Sequence, residues 1–194
     1  MSAAPESADR SRRIRSHAVK TVAITAAVLV IVWANVVAAE NVEVLDFVRR
    51  FGYPGLFAAA AISGFNLLVP IPVIGFFPLL MEAGLRPVPA VLVIGAGMTI
   101  GDMVGYLLGR AGRKLVDKPH WMARMERVQD RHRLAPYILL FVYAAVVPLP
   151  NELIVIPMAL IGCRWAGVLG AAFAGNLIFN ALAAAGFQGV FGLF

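Results

Sequence analysis

The sequence predicts an all-α integral membrane protein, built as an inverted repeat of two re-entrant hairpins, each followed by a transmembrane helix, plus an N-terminal transmembrane helix. Three observations predict it. Of the 194 residues, 60% are hydrophobic and only 14% are charged, whereas soluble domains carry charge on about a quarter of theirs. Two long apolar runs are each broken by a Pro-x-Pro element, Pro70–Pro72 and Pro148–Pro150. The stretches that contain these elements also match each other.

The N-terminal part predicts a cytoplasmic tail and a first span. Residues 1–18 are polar and basic, and residues 19–39 are apolar over a length that can cross a hydrocarbon core of about 30 Å. A cleaved signal peptide is the competing interpretation, but the length of the run favours a retained helix. Basic residues that flank a span stay on the cytoplasmic side. We therefore expect an integral protein of the cell (inner) membrane with its N-terminus in the cytoplasm. Residues 40–52 predict a short amphipathic helix on the outer surface.

The apolar run 53–85 predicts the first re-entrant hairpin, with its tip at Pro70–Pro72. It is too short for two spans, and its prolines would break a single one. Broken backbone at membrane depth is tolerated only where protein or a water-filled cavity covers it. Arg86–Pro89 is expected to end this hairpin. Residues 90–108 then predict a true span, in which glycines at four-residue intervals let another backbone approach closely. These glycines are Gly97, Gly101 and Gly105.

The second half predicts the same arrangement from the other side. Residues 109–136 carry eight basic and three acidic side chains, which predicts a cytoplasmic segment beside anionic headgroups. Residues 137–162 predict a hairpin that enters from the cytoplasm and turns at Pro148–Pro150. Residues 166–187 predict the last span, and the C-terminus is expected outside.

A shift of 78 residues superposes the two halves, repeat 1 (53–108) and repeat 2 (137–187). Pro70 and Pro72 fall on Pro148 and Pro150, Gly84 and Arg86 on Gly162 and Arg164, and Asp102 on Asn180. Since one hairpin is expected to enter from outside and the other from inside, the predicted repeat is inverted. Inverted repeats with broken helices and a site near the bilayer midplane are typical of secondary transporters.

One helix carries a family resemblance. Gly101-Asp102, Gly105-Tyr106 and Gly109-Arg110 resemble the G-D-x-x-G-Y-x-x-G-R signature of the DedA family, also called VTT-domain or SNARE-associated membrane proteins. The Pro-x-Pro elements resemble the hairpin tips of that family, and the resemblance covers roughly residues 50–187. It implies transport of lipid-linked phosphates across the bilayer, such as undecaprenyl phosphate in bacteria, and lipid scrambling as in the eukaryotic relatives.

The chain is a divergent member by this resemblance. The family pattern has an acid four residues before the first proline and another two residues after the second, where this chain has Asn66 and Ile74. The second hairpin alone keeps the acid, as Glu152. Arginines expected around the second-hairpin proline are replaced. The residues found nearby are Tyr143, Ala144 and Asn151.

Polar residues expected at membrane depth form the candidate substrate and proton pathway. Glu152 and Asp102 are the two acids among them, and a carboxyl buried in a membrane is costly and usually functional. Removal from water favours the neutral form of a carboxyl, so either residue could carry a proton. The structural alternatives are that Glu152 pins the hairpin tip and that Asp102 bonds a neighbouring helix.

The other candidates also have structural alternatives. Four amides are expected either to line the pathway or to bond the backbone groups freed at the hairpin breaks: Asn66, Asn151, Asn176 and Asn180. Arg86 and Arg164 are expected as snorkelling anchors or as contacts to a phosphate headgroup. Tyr106 is expected at the interface or in the cavity.

No catalytic or metal-binding constellation is visible in the sequence, so we expect neither an enzyme nor a cofactor. The net charge of +6 comes from basic residues that cluster in two segments beside apolar runs, as membrane topology requires, so we expect no nucleic-acid partner. The favoured function is a transporter or flippase that moves an amphiphilic anion, either a polyprenyl-phosphate or a phospholipid. The expected partners are membrane lipids and protons. A non-transporting scaffold that binds anionic lipid or another protein is one alternative, and a small-solute or ion exporter is another. The sequence leaves a homo-oligomer open.

Overall fold

The computed structural model describes residues 40–64, 73–113, 125–127 and 131–191, with the single positions 33, 37 and 129. Over these residues the chain is helical, with six α-helices, one 3₁₀-helix and no strand. Of the predicted first span only positions 33 and 37 are described, and the tip residues Pro70 and Pro72 and the candidate Asn66 lie outside the described residues.

Two of the helices are long and apolar enough to cross a membrane. The helices are α1 (Val42–Gly64), α2 (Phe77–Glu82) after the 3₁₀-helix Val73–Phe76, α3 (Pro87–Gly112), α4 (Ala135–Val146), α5 (Glu152–Leu160) and α6 (Trp165–Phe191). The two candidate spans are α3 and the Trp165–Phe187 part of α6. They correspond to the predicted spans 90–108 and 166–187.

Both ends of α3 lie beyond the predicted bounds. The prolines of Arg86–Pro89, expected to close the preceding hairpin, instead begin the helix, with Arg86 as its N-cap. A proline at the first helical position already has a helical φ, and the amide hydrogen it lacks would have had no partner there. The segment 109–136, predicted as a polar linker, is also helical at its start, because α3 continues to Gly112.

A backbone break at Gly52 divides α1. Gly52 has φ 48° and ψ −136°, which lie outside the helical range. The residues before it form the predicted amphipathic helix, which begins where the Asn41 side chain accepts a hydrogen bond from the Glu43 amide at 2.9 Å. Phe47 and Phe51 stack on the exposed apolar side with ring centroids 4.5 Å apart.

The chain from Tyr53 to Arg86 leaves one end of α3 and returns to it. The amide of Arg86 donates a hydrogen bond to the Tyr53 hydroxyl at 2.9 Å, and further along, Gly64 lies against the backbone of Met98. The helices α1 and α3 are therefore parallel. The segment that joins them must run back in the opposite direction, and α2 belongs to it.

The second half repeats this arrangement. The Arg164 amide donates to the Tyr137 hydroxyl at 3.1 Å, and Gly175 on α6 lies against Phe141 and Ala144 on α4. The helices α4 and α6 are therefore parallel as well, and α5 belongs to the returning segment. Between α4 and α5, Val147 is extended, as expected before a proline, and Pro148 and Pro150 lie in the non-helical turn.

Matching details support this correspondence between the halves. A Cβ added to Gly97 would lie 2.6 Å from the Ala60 Cβ, and one added to Gly175 would lie 2.5 Å from the Ala144 Cβ. Each returning segment ends at a glycine in the left-handed region, Gly84 with φ 89° and Gly162 with φ 88°. Residues with a side chain rarely adopt this conformation, so glycine is required at both turns.

The two long helices cross in opposite directions. Asp102 on α3 contacts Asn176 on α6, and Met98, one turn earlier on α3, contacts Asn180, one turn later on α6. One apolar core lies on each side of this crossing. The first packs α1, α2 and the start of α3, and the second packs α4, α5 and the start of α6.

The fold predicts that the single cysteine is chemically protected. Cys163 is 0% exposed, its Sγ donates to Oε1 of Gln129 at 3.5 Å, and burial raises the pKa of its thiol to about 11. Because the thiolate is the reactive form, maleimide modification at neutral pH should be slower than in the unfolded chain by about two orders of magnitude, and should accelerate as the pH rises. Mass spectrometry of the protein in mild detergent and in denaturant measures this. The exposed control is Leu134→Cys combined with Cys163→Ser. Equal modification rates for Cys163 before and after denaturation would contradict the packing described here.

Candidate functional site

Five polar side chains are buried between the two apolar cores, and none of them is more than 7% exposed. We call them the polar cluster: Asp102, Asn151, Glu152, Asn176 and Asn180. Asp102 comes from the middle of α3, and Asn176 and Asn180 come from α6. Asn151 is the last residue before α5, and Glu152 is its first. Three separate parts of the chain therefore meet at the cluster.

A closed set of side-chain hydrogen bonds joins these parts. Oδ2 of Asp102 accepts from Nδ2 of Asn176 at 2.9 Å and from Nδ2 of Asn151 at 3.2 Å. Nδ2 of Asn151 also donates to Oδ1 of Asn176 at 3.0 Å. Both donors to Asp102 are neutral amides. Among the residues that the structure describes, the carboxyl is thus held by hydrogen bonds and by no cation.

Asn180 extends the cluster towards the other end of α6. Its Nδ2 donates to the Asn176 backbone carbonyl at 2.7 Å and to Sδ of Met98 at 3.4 Å. Its Oδ1 is buried and accepts no hydrogen bond from the residues that the structure describes. A buried acceptor without a hydrogen-bond donor destabilises the folded state by about 1–3 kcal/mol. The cluster can therefore take one further donor at this atom, for example a water molecule.

Glu152 is positioned by a close approach of α3 to α5. A Cβ on Gly105 would lie 2.9 Å from Cγ of Glu152, so only a glycine leaves room for that side chain. One turn further along α3, a Cβ on Gly109 would lie 2.7 Å from the Ile156 carbonyl. The close backbone approach predicted from the glycines of this helix is confirmed. As the first residue of α5, the Glu152 carboxyl also lies at the helix end that favours negative charge.

A cavity of about 210 Å³ lies beside the polar cluster and is lined by both halves of the chain. Asn151 and Asn176 contribute its polar wall, together with the turn Pro148–Pro150. The first half contributes Ser63 from the end of α1 and Ile74 from the 3₁₀-helix. Since a water molecule occupies about 30 Å³ in the liquid, the cavity has room for a few waters or a small polar headgroup.

The structure brings some predicted residues together and separates others. Asp102, Asn151, Glu152, Asn176 and Asn180 form the cluster, and the predicted tip residues Pro148 and Pro150 line the cavity. Tyr106 does not line it. Its hydroxyl is buried and donates to the Cys163 carbonyl at 2.7 Å. Arg86 and Arg164 are exposed at the starts of α3 and α6, which lie at opposite ends of the molecule.

Several residues that hold the site were not predicted from sequence. Met98 and Ser63 carry no pattern that marks them. Tyr53 and Tyr137, whose hydroxyls close the two returning segments, were missed for a specific reason. They are 84 residues apart, whereas Arg86 and Arg164, their partners, are 78 apart. The first segment is six residues longer, so a single shift does not align the tyrosines.

The arrangement supports hydrogen bonding and proton binding. Within the described residues, no group of three or more His, Cys, Asp and Glu side chains is close enough to hold a metal ion. Two carboxyls in one buried cluster repel each other when both are charged, so a proton on one of them relieves this repulsion. The amide groups can donate to an anion or accept from water.

Comparisons of the chain with protein-family models, curated proteins and solved structures find no match. The residues of the Gly-Asp, Gly-Tyr and Gly-Arg pairs between positions 101 and 110 have defined contacts in the structure. Gly105 and Gly109 face α5, Asp102 bonds α6, and Tyr106 bonds the turn after α5. The motif therefore corresponds to the surface of α3 that packs against the second half of the chain.

The close approach of α3 to Glu152 predicts a position-specific loss of stability. Gly105→Val should lower the free energy of unfolding by about 1–3 kcal/mol, because the added side chain overlaps the Glu152 side chain. Gly186→Val is the matched control, since a Cβ at Gly186 would meet, within 4 Å, no described atom beyond its chain neighbours and its own helix backbone. Thermal unfolding in detergent should show a lower midpoint for the first variant only. Equal midpoints for the two variants would contradict the contact.

Proposed function

We propose that this protein is a DedA-like integral membrane transporter that moves an amphiphilic anion, a polyprenyl-phosphate or phospholipid, and couples this movement to protons. The observation that carries the proposal is the polar cluster, with two carboxyls and three amides buried beside a cavity that both halves of the chain line. Polar groups at this depth in membrane-spanning helices are costly and typically mark a pathway for ions, protons or substrate.

The outer surface supports a membrane location. Large apolar side chains are exposed along α3 and α6, among them Leu107, Leu108 and Leu182. An exposed apolar surface of this kind is unfavourable in water and favourable in lipid. Together with the length of the two helices, it supports the insertion of α3 and α6 as spans.

The lengths of the two arms of the second hairpin, α4 and α5, support a re-entrant structure. At 1.5 Å per residue, the 12 residues of α4 extend about 18 Å and the 9 residues of α5 about 14 Å, both well short of a hydrocarbon core of about 30 Å. The chain also leaves and returns at the same end of a long helix in each half. Because α3 and α6 are antiparallel, the two hairpins enter from opposite faces in this proposal, which makes the repeat inverted.

The polar cluster then lies near the middle of the bilayer. Asp102 is about 22 Å along the helix axis from Pro87 and about 15 Å from Gly112. The cavity beside it is large enough for a phosphate-sized headgroup but not for lipid chains. In the proposed mechanism, the headgroup enters the cavity beside the turn Pro148–Pro150 while the chains stay in the surrounding lipid.

In this mechanism, proton binding reduces the negative charge of the polar cluster. With both carboxyls ionised, Asp102 and Glu152 would repel an anionic headgroup. A proton bound by either one removes part of this repulsion, and the amides of Asn151 and Asn176 can then donate to phosphate oxygens. Headgroup entry and proton entry are coupled because each favours the other.

Substitution of the acids tests the proposal. Glu152→Gln keeps the shape of the side chain but cannot bind a proton as a carboxylate does, so we expect a folded protein without pH-dependent transport of a fluorescent polyprenyl-phosphate in proteoliposomes. Asp102→Asn should have the same effect but more weakly, because its repeat mate is already the amide Asn180. The matched control is Glu82→Gln, which changes an exposed acid on α2 and should leave transport unchanged.

Two outcomes would contradict different parts of this proposal. Wild-type transport by Glu152→Gln between about pH 5 and 8 would remove the proton-carrying role and leave Glu152 as a structural pin. Absence of transport by the wild-type protein, with a small anion such as phosphate also tested, would argue against both a lipid transporter and a small-solute exporter.

A further inference from the structure

A second depression lies on the lipid-facing side of the protein, between the end of α3 and the start of α6. It has a volume of about 270 Å³ and is separate from the cavity at the polar cluster. We call it the lateral groove, and its lining residues are Met103, Tyr106, Leu107, Arg110, Trp165 and Leu169. It was not predicted from the sequence.

The lateral groove is apolar along its length and charged at one end. Met103, Leu107 and Leu169 form apolar walls, and Arg110 on the last turns of α3 lies at the same end as Trp165 at the start of α6. One guanidinium nitrogen of Arg110, Nη1, donates to the Tyr106 hydroxyl at 3.4 Å. A guanidinium has five N–H donors, so this contact leaves others for a ligand.

Positive charge is concentrated at this end of the molecule. The Arg113 guanidinium lies beside Gly162, and Arg164 follows two residues later, so three arginines surround the turn between α5 and α6. Four residues of the lateral groove have no similar residue at the corresponding positions of the other half. The positions 78 residues after Met103, Tyr106, Leu107 and Arg110 are Ala181, Ala184, Ala185 and Gln188.

An apolar groove with an arginine and a tryptophan at its mouth is complementary to an amphiphile with an anionic head. Arginine matches phosphate geometry with paired donors, and tryptophan favours the level of lipid headgroups. We propose that the lateral groove binds one phosphate-bearing anionic lipid, with its phosphate on Arg110 and one chain along Met103, Leu107 and Leu169. This proposal needs membrane insertion but not transport, so its failure and the failure of the transport proposal are distinguishable.

Trp165 supplies a direct probe. The chain has three tryptophans, and Trp33→Phe with Trp121→Phe leaves Trp165 as the single fluorophore, which is 62% exposed. The protein is placed in phosphatidylcholine vesicles that contain a minor fraction of a chain-brominated quencher, either phosphatidylglycerol or phosphatidylcholine. We expect brominated phosphatidylglycerol to associate about fivefold more strongly, the ratio that one interfacial arginine supplies.

Variants separate a discrete site from general attraction. Arg110→Gln should abolish the preference for phosphatidylglycerol, whereas Arg113→Gln, which removes the same charge from the same end without lining the groove, should retain most of it. Met103→Trp should reduce the preference by filling the groove while every arginine remains, provided that its added indole emission is subtracted with a Trp165→Phe reference. Circular dichroism checks that each variant stays helical.

Three results would overturn the proposal that the lateral groove binds an anionic lipid. Equal quenching of Trp165 by the two brominated lipids, in the single-tryptophan protein with no further substitution, would overturn the proposal. An equal loss of preference in Arg110→Gln and Arg113→Gln would show general enrichment of anionic lipid around a basic surface, and would also overturn it. Should Arg110→Gln fail to fold, an unchanged preference in Met103→Trp would overturn the groove by itself.

Discussion

The Asp102 carboxyl is the constraint on which the arrangement depends. A carboxyl this deeply buried must have hydrogen-bond partners, since an unpaired one would cost several kcal/mol. Its Oδ2 takes amide donors from Asn151 and Asn176, which belong to the turn before α5 and to the middle of α6. Both segments must therefore lie against α3 at one level. The glycines of α3 allow this, because they let α5 approach without a side chain between the backbones.

The two halves are similar in backbone and different in charge. The pairs Gly84 and Gly162, Gly97 and Gly175, and the tyrosine bonds to Arg86 and Arg164 show matching local structure. Charge in the polar cluster is uneven, because Asp102 and Glu152 have no acidic counterparts at Asn180 and Ile74. Of the arginines around the turn after α5, Arg164 has the counterpart Arg86, whereas Arg110 and Arg113 correspond to Gln188 and Phe191. The two halves therefore match in local backbone structure, while both carboxyls of the polar cluster come from positions whose repeat mates carry none.

Local chemistry was predictable and long-range pairing was not. The break at Pro148–Pro150 follows from missing backbone donors, and the close approach at Gly105 follows from its spacing. The burial of Asp102 and Glu152 was also expected from their apolar surroundings. Which amides Asp102 contacts depends on where α3 and α6 cross, and no local pattern encodes this crossing. The same applies to Tyr53 and Tyr137, which a six-residue difference in segment length concealed, and to the lateral groove, which exists only when two helices meet.

Labelling from each side of the membrane tests the central claim, that two hairpins entering from opposite faces hold the polar cluster in the bilayer. Single cysteines at Val88 and Leu134, each 70% exposed at the start of its helix, are introduced in a Cys163→Ser background. Val88 lies in the first turn of α3, which is about 39 Å long. Leu134 lies at the start of α4, which runs parallel to α6 and therefore antiparallel to α3. The two positions should thus lie on opposite sides of the membrane. We predict that a membrane-impermeant maleimide modifies position 88 only from outside and position 134 only from the cytoplasm. Modification of both positions from the same side would contradict the inverted arrangement.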